Sequence, residues 1–225
     1  GWTPSWTTPM NKIIALNRKH THTEETAWVL IKTMEDVANI YADYSWVVFP
    51  GDNLVTAFST KIPLGLQTVD IHSSLPYCLI GHMSQRLNWK TDEEIQWELE
   101  SIIETPTTPI LCVGPMKEED TLELVIKEQL VVLEKWPKEK KLIVAYEPGF
   151  AIGTGKTMTL EDIEIVTDIL REALKEFTNK SIIYGGSVND NNIAWILRIT
   201  DGVIIGTASQ KSPSLLALSI ALWQE

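Results

Sequence analysis

Eight short apolar runs, most of them separated by stretches with helical periodicity, limit the folds open to this chain. Most runs end at charged residues, Gly or Pro, as buried parallel strands do. The runs cover residues 12–16, 46–49, 64–70, 77–80, 110–113, 141–146, 181–184 and 202–205. Helical patterns cover residues 24–42, 91–104, 117–135, 160–177, 190–199 and 213–223, with a short one near 53–59. This alternation predicts an α/β fold, a (β/α)8 barrel in which helices surround a closed parallel sheet.

One interval is too short for the pattern. About seven residues, from Asp70 to Pro76, separate the third and fourth runs, whereas a parallel crossover with its helix takes about a dozen or more. Seven extended residues reach roughly 23 Å, enough to return to the other end of a barrel. We therefore expect the third helix to be missing. The apolar wall beside it would need another cover, either the N-terminal segment with Trp2 and Trp6 or a subunit interface.

The composition fits one domain with a single core. The chain has 225 residues, of which 44% are hydrophobic and 22% charged, enough to bury one large core. We assign residues 10–225 to this domain and residues 1–9 to an N-terminal extension or a cloning remnant. No apolar run approaches the roughly 20 residues of a membrane span, and the N-terminus lacks a signal-peptide pattern. We therefore expect a cytoplasmic protein without a membrane partner.

The charge and the cysteine content limit the kinds of ligand and partner that we expect this chain to bind. A formal charge of −11 argues against nucleic acid as a partner, because phosphate backbones attract basic surfaces. It does not exclude a small phosphorylated substrate, which backbone N–H groups can hold. Cys78 and Cys112 both lie within apolar runs, which favours buried thiols over a disulfide or metal ligands. The four His are scattered without ligand spacing, so we expect neither a metal site nor a cofactor.

A carboxylate ends the sixth apolar run and precedes a glycine-bearing loop. Glu147 follows residues 141–146, and Gly153 and Gly155 come shortly after it. Glycines of this kind expose backbone N–H groups in a loop that wraps an anionic group. The combination fits a base that abstracts a proton beneath a closing lid. The structural alternative is an ordinary strand-to-helix loop in which Glu147 is a solvated capping residue.

Several motifs, in order along the chain, resemble the triosephosphate isomerase family. Residues 145–156, AYEPGFAIGTGK, resemble its catalytic strand and lid, and residues 182–188 and 201–209 resemble its seventh and eighth strands with their loops. Asn17-Arg18-Lys19 is similar to the Asn-x-Lys of its first strand, and Gly81-His82 to the end of its fourth. The similarity extends from about residue 11 to residue 223. It implies a TIM barrel and an isomerase of triose phosphates that acts in glycolysis and gluconeogenesis without a cofactor.

The resemblance also implies a role for each matching residue. Glu147 would be the base that moves a proton between neighbouring carbons, and His82 would donate a hydrogen bond to the substrate oxygens as a neutral imidazole. Lys19 would supply positive charge, with Asn17 as a neighbouring donor. The implied phosphate-binding residues are Gly153, Ser187, Gly206 and Thr207.

The chain departs from the family pattern beside the implied site. Residues 83–86 read Met-Ser-Gln-Arg where the family has Ser-Glu-Arg-Arg, so the carboxylate near Lys19 is absent. Gly206-Thr207 replaces a Gly-Gly pair. The short third interval also lacks the long loop that builds the family's usual dimer, which predicts a monomer or a differently built homo-oligomer. Two alternatives stay open: a non-catalytic phosphate-binding barrel (a sensor or scaffold), and an isomerase or aldolase for another sugar phosphate.

Overall fold

Eight parallel strands form one sheet that curls into a barrel. The computed structural model describes residues 11–19, 23–56, 59–118, 120–152, 154 and 156–206. The strands are β1 (Ile13–Asn17), β2 (Ser45–Phe49), β3 (Gly65–Leu66), β4 (Tyr77–Ile80), β5 (Thr108–Val113), β6 (Leu142–Tyr146), β7 (Lys180–Tyr184) and β8 (Gly202–Ile205). Their spatial order is β2-β1-β8-β7-β6-β5-β4-β3, and a parallel bridge between Val48 and Leu64 joins the two ends. The predicted (β/α)8 barrel is confirmed.

Helices connect most of the strands on the outside of the barrel. They are α1 (Glu24–Ile40), α2 (Met83–Leu87), α3 (Asp92–Ser101), α4 (Leu122–Gln129), α5 (Leu160–Ala173) and α6 (Ile193–Ile199), with 3₁₀ turns at Asp52–Leu54 and Leu130–Leu133. The sequence did not predict α2, a helix too short to show periodicity. The predicted helix at 213–223 and the extension at 1–9 lie outside the described residues. None of the helices in the described ranges is long and apolar enough to cross a membrane.

The third strand is much shorter than the prediction of 64–70, which was wrong in length. Only Gly65 and Leu66 pair with β4. The chain leaves the sheet at Gln67, whose backbone N–H donates to Asp52 Oδ1 at 2.7 Å instead of to a neighbouring strand. The Thr68 hydroxyl donates to the other oxygen of the same carboxylate. Asp52 therefore ends the strand by competing for its backbone donors.

No helix follows β3, as the short interval predicts: residues 67–76 are all described and form only bends, turns and irregular backbone. The N-terminal segment, one of the two expected covers of the barrel wall, lies outside the described residues. Cys78 and Ile80 are buried on the outer side of β4, and Val69 and Leu75 from the connection itself pack against the same core cluster. The short connection thus contributes apolar contacts to the wall without a helix.

The barrel has two apolar layers because side chains alternate along each strand. The inner layer fills the barrel and includes Phe49, Cys112 and Ala145. The outer layer packs the strands against the helices. Cys78 lies in the outer layer, and both cysteines are buried free thiols, which confirms the prediction. The Phe49 ring leans across Gly65, where an added Cβ would lie 2.2 Å from a ring carbon.

Helix α3 begins with a capping box at Thr91. The Thr91 hydroxyl accepts a hydrogen bond from the Glu94 backbone N–H at 3.2 Å, and the Glu94 carboxylate accepts one from the Thr91 N–H at 2.8 Å. Thr91→Ala is expected to lower the free energy of unfolding in urea by about 1 kcal/mol, because helix donors lose their partner. Thr33→Ala, in the middle of α1, is the control and should change stability little. Equal effects of the two changes would contradict the capping role.

Candidate active site

Three of the four predicted catalytic residues come together at the carboxyl ends of the strands. Asn17 is the last residue of β1, His82 follows β4, and Glu147 follows β6 directly. The carboxyl ends of parallel strands meet at one face of such a barrel, where active sites form. Asn17, His82 and Glu147 are all buried polar side chains. Three residues far apart in the sequence therefore meet at this face.

Glu147 is 1% exposed and is held by groups that follow β4. Its Oε2 accepts a hydrogen bond from the Met83 backbone N–H at 3.0 Å. Its Oε1 lies 3.4 Å from His82 Nε2. The Glu147 backbone N–H donates to the Val113 carbonyl at 2.8 Å, which extends the pairing of β6 with β5 by one step. The carboxylate is thus fixed at the end of the sheet and shielded from water. Neither its burial nor its contacts fit the alternative interpretation of Glu147 as a solvated capping residue.

The glycine pair after β7 leaves room for two neighbouring side chains. A Cβ on Gly185 would lie 2.8 Å from Glu147 Cγ and 2.4 Å from Ile204 Cγ2. A Cβ on Gly186 would lie 2.0 Å from the Tyr184 hydroxyl. Both glycines are therefore required by close approach, and Gly185 forms part of the wall against which Glu147 packs.

His82 is both a site residue and the N-cap of α2. Its Nδ1 accepts a hydrogen bond from the Ser84 backbone N–H at 3.2 Å, and the Ser84 hydroxyl lies 2.8 Å from the same nitrogen. A capping imidazole needs a lone pair on Nδ1, so protonation of both ring nitrogens would remove the cap. In the neutral ring, Nδ1 is thus the acceptor and Nε2 carries the proton.

Asn17 is oriented by the backbone of Lys19. The Lys19 N–H donates to Asn17 Oδ1 at 3.2 Å, and Lys19 itself has a left-handed backbone with φ of 52°. Such a conformation is uncommon for a residue with a side chain and costs on the order of 1 kcal/mol. Because Oδ1 faces Lys19, the Asn17 amide presents Nδ2 to His82 Nε2 at 3.1 Å.

Two fixed backbone donors therefore turn Asn17 Nδ2 and His82 Nε2 toward each other, 3.1 Å apart. The Ser84 N–H makes Nδ1 of His82 the acceptor, and the Lys19 N–H makes Oδ1 of Asn17 the acceptor. His82 Nε2 also lies 3.4 Å from Glu147 Oε1. A substrate oxygen that gains negative charge could accept hydrogen bonds from both nitrogens, as in an oxyanion hole. Beside the Glu147 carboxylate, this geometry fits proton transfer next to a carbonyl.

Cys112, on the inner side of β5, lies beside the Glu147 carboxylate. Burial, then the negative charge of Glu147 and a hydrogen bond with it, raise the pKa of the Cys112 thiol well above its ordinary value. The thiol therefore stays protonated and donates weakly to the Ile110 carbonyl at 3.8 Å. The sequence predicted the burial of Cys112 but not this contact.

Arg86 fastens the segment after β4 to its neighbours. Its guanidinium donates to the Gly81 carbonyl at 3.1 Å and to the Cys112 carbonyl at 3.3 Å. It also pairs with Asp92 at the start of α3 at 2.7 Å. Gly81 has φ of 67°, a conformation that favours glycine. Arg86 and Gly81 together fix the point from which His82 projects.

Both ends of the predicted lid contact Ser187. The Ser187 hydroxyl donates to the Ala151 carbonyl at 2.7 Å, and the Thr157 hydroxyl donates to the Ser187 carbonyl at 3.1 Å. Ser187 follows β7, and Gly206 follows the adjacent β8. An added Cβ on Gly206 would meet nothing within 4 Å. Gly153 and Thr207 lie outside the described residues, and the phosphate-binding role of all four residues stays a prediction.

No metal centre accompanies these groups within the described residues, where His, Cys, Asp and Glu side chains nowhere cluster in threes fit to hold an ion. Sequence reasoning missed Ser84, Cys112 and Gly185 as neighbours of the site. Ser84 and Gly185 lie within residues 83–86 and 182–188, two of the segments compared with the family pattern, but only the packing reveals their contacts.

Comparison with known proteins agrees with this geometry. A family model described as triosephosphate isomerase matches residues 12–222. The triosephosphate isomerases of Albidiferax ferrireducens and Thermus thermophilus are 36% and 37% identical to this chain, over 63% of the chain in each case. These two alignments span 62% and 63% of the relatives, less than two thirds of their length. The triosephosphate isomerase of Francisella philomiragia is 30% identical over 90% of this chain and 94% of that protein. The chain therefore belongs to the triosephosphate isomerase family.

Proposed function

We propose that this chain interconverts dihydroxyacetone phosphate and D-glyceraldehyde 3-phosphate. The observation that carries the proposal is a buried carboxylate, Glu147, beside His82 Nε2, which in turn lies beside Asn17 Nδ2. Family membership supports the same reaction. We also propose a role in glycolysis and gluconeogenesis and a cytoplasmic location.

The proposed reaction is a proton transfer through an enediolate. Glu147 takes a proton from the carbon next to the substrate carbonyl, and the electron pair of that C–H bond moves toward the carbonyl oxygen. His82 Nε2–H and Asn17 Nδ2–H donate to the oxygen as it gains charge, and the Lys19 ammonium adds positive charge nearby. Glu147 then returns the proton to the former carbonyl carbon. The remaining hydroxyl proton moves from one enediolate oxygen to the other, so atoms and charge balance.

The substrate phosphate would bind at the ends of the last three strands. We assign it to backbone N–H groups of Gly153, Ser187 and Gly206, with Thr207 beside them. Phosphate sites in barrels of this class form from the loops after the seventh and eighth strands. The hydrogen bonds between Ser187 and both ends of the lid support this assignment, because phosphate binding at Ser187 would then affect the position of the lid.

A coupled assay of glyceraldehyde 3-phosphate turnover tests the proposal. We expect turnover that a phosphorylated enediolate mimic inhibits. Stabilisation by the mimic, seen as a raised Tm, without any turnover would instead indicate a sensor or scaffold. Turnover of a larger sugar phosphate and none of triose phosphate would indicate a different isomerase or aldolase. Either result would overturn the proposed reaction.

Lys19 offers a second test. No carboxylate within the described residues forms an ion pair with Lys19, so its charge is available to the substrate. Lys19→Met keeps the length of the side chain but removes the charge and should lower kcat/KM by roughly 10²- to 10³-fold. Lys175→Met, on the surface beside Glu172, is the control and should leave kcat/KM unchanged. Equal values for both variants would contradict a role for Lys19.

We also propose that the protein is a monomer or a homo-oligomer built differently from the family's usual dimer. Hydrogen bonds hold the segment 67–76 to its own subunit. Gln67 N–H and the Thr68 hydroxyl donate to the Asp52 carboxylate, and the Gln85 side chain donates to the Gln67 carbonyl. A connection bound in this way has little chain left to enter a partner's active site. Light scattering measures the mass, and a dimer crystal structure with residues 67–76 buried in the neighbour's site would refute the proposal.

A further inference from the structure

We propose that Gln85 is a positioning residue that fixes helix α2, and with it His82, to the neighbouring strand β3. The inference rests on the proposed function and deepens it, because His82 is one of the groups that would contact the substrate. Gln85 itself acts through α2 and does not touch the reacting atoms. It stands where the family pattern has the first Arg of Ser-Glu-Arg-Arg, so the chain differs from that pattern at this position.

The barrel has little backbone pairing on either side of β3. Toward β4, only Gly65 and Leu66 pair with the next strand. Toward β2, the segment meets the sheet at the bridge between Val48 and Leu64. No helix follows β3 within residues 67–76. Side-chain contacts therefore contribute more to the position of α2 against this part of the barrel than they would beside a longer strand.

The start of α2 carries groups from both sides of the site. The helix begins directly after His82, whose carbonyl accepts a hydrogen bond from the Gln85 backbone N–H at 2.7 Å. The Met83 N–H binds the Glu147 carboxylate at 3.0 Å. Arg86 fastens the helix toward β5, and the side chain of Gln85 reaches toward β3. A movement of α2 would therefore displace His82 and the donor that holds the base.

Two contacts fix the orientation of the Gln85 amide. Its Nε2 donates to the Gln67 carbonyl at 3.1 Å, at the point where β3 ends. Its Oε1 accepts from Lys90 Nζ at 3.4 Å. Because an ammonium group can only donate and a carbonyl can only accept, one orientation of the amide satisfies both neighbours. Lys90 is in turn paired with Glu98 of α3, and both side chains of this pair are largely buried.

Gln67 extends the contact to the strands that carry the other site residues. Its side-chain Nε2 donates to the Phe49 carbonyl, at the end of β2, at 3.4 Å. The same carbonyl accepts a hydrogen bond from the Arg18 backbone N–H at 2.9 Å. Arg18 stands between Asn17 and Lys19 in the sequence. A continuous set of hydrogen bonds thus runs from α2, across the end of β3, to the end of β1.

The proposed reaction depends on the separation that these bonds maintain. His82 and Asn17 would both donate to the oxygen that gains negative charge, so the end of β4 and the end of β1 have to stay in register. Without the Gln85 donor, α2 is free to shift relative to β3. A shift of a fraction of an ångström weakens contacts with the transition state more than contacts with the bound substrate, so the loss should appear in kcat rather than in KM.

Gln85→Met and Gln85→Glu separate the two contacts of the amide. Methionine has nearly the length of glutamine and is a good residue for a helix, but it removes both contacts. Glutamate keeps an acceptor for Lys90 and loses only the donor to the Gln67 carbonyl. The matched control is Gln96→Met, which removes a side-chain hydrogen bond to Glu100 within α3.

We expect kcat of both Gln85 variants to fall about tenfold, with KM within about twofold of the wild type. Hydrogen–deuterium exchange of the backbone N–H groups of residues 83–88 should be at least about threefold faster in both. Gln96→Met should leave kcat, KM and this exchange unchanged. The kinetics are measured well below the Tm of each variant, so that a loss of stability alone does not lower kcat.

Three results would overturn the inference. The first is a Gln85→Met variant with a lowered Tm but unchanged kcat and exchange, which would make Gln85 only structural. The second is a Gln85→Glu variant with the kcat and exchange of the wild type, because the donor to the Gln67 carbonyl would then be unnecessary. The third is equal exchange in Gln85→Met and Gln96→Met.

Hydrogen exchange does not depend on turnover, which separates this inference from the proposed function. A wild-type protein without isomerase activity would contradict the function. Faster exchange of residues 83–88 in the two Gln85 variants would still support the role of Gln85 in fixing α2.

Discussion

Glu147→Gln is expected to lower kcat by roughly 10³-fold or more, with a small change in KM. The amide has nearly the shape of the carboxylate, so the Met83 backbone N–H keeps an oxygen acceptor. The amide has no basic oxygen, however, and cannot take a proton from carbon. Because the change removes only the base, the loss should appear in the chemical step. A coupled assay of glyceraldehyde 3-phosphate turnover measures it.

Stability provides the internal check on this variant. Glu147 is 1% exposed, and burying an ionised carboxylate costs free energy even where hydrogen bonds compensate part of it. We therefore expect the Tm of Glu147→Gln to equal or exceed that of the wild type. Glu139→Gln, at an exposed position, is the matched control and should keep full activity. A Glu147→Gln variant that keeps activity within tenfold of the wild type would rule out Glu147 as the base.

The sequence located most strands because each is apolar on both faces. Strands β4 and β8 match the predicted residues, and the others that were well placed, such as β6 (Leu142–Tyr146), differ by one or two residues at their ends. The third strand could not be predicted in length. Its end depends on Asp52, some 15 residues earlier, whose carboxylate captures the Gln67 N–H. A local pattern of apolar residues carries no information about such a distant acceptor.

The site likewise has features that the sequence predicts and contacts that it does not. Asn17, His82 and Glu147 could be predicted because each stands at the end of an apolar run within a motif that resembles a known family. The contacts that hold them could not. Met83 N–H and Glu147 Oε2 are 64 positions apart in the sequence, and the donor is a backbone group that any residue would supply. Cys112 gave only the signal of a buried thiol, since its contact with Glu147 depends on the relative position of β5 and β6.

Gly185→Ala is the second change with a large expected effect. The new Cβ would lie 2.4 Å from Ile204 Cγ2 and 2.8 Å from Glu147 Cγ, and real Cβ atoms do not approach other carbons so closely. We expect the free energy of unfolding to fall by roughly 1–3 kcal/mol from overpacking. We also expect kcat to fall at least about tenfold, because displacement of the base by a fraction of an ångström misaligns proton transfer. Urea unfolding and the coupled assay measure the two effects.

A double variant separates the two clashes. Ile204→Ala removes the methyl group that an alanine at 185 would strike, so the stability cost of Gly185→Ala should shrink by about 1 kcal/mol in the Ile204→Ala background. The contact with Glu147 Cγ remains, so kcat should stay low. Gly206→Ala serves only as the stability control and should leave the unfolding midpoint unchanged, since its Cβ meets nothing within 4 Å. Recovery of kcat together with stability in the double variant would mean that Gly185 affects the barrel interior rather than the position of Glu147.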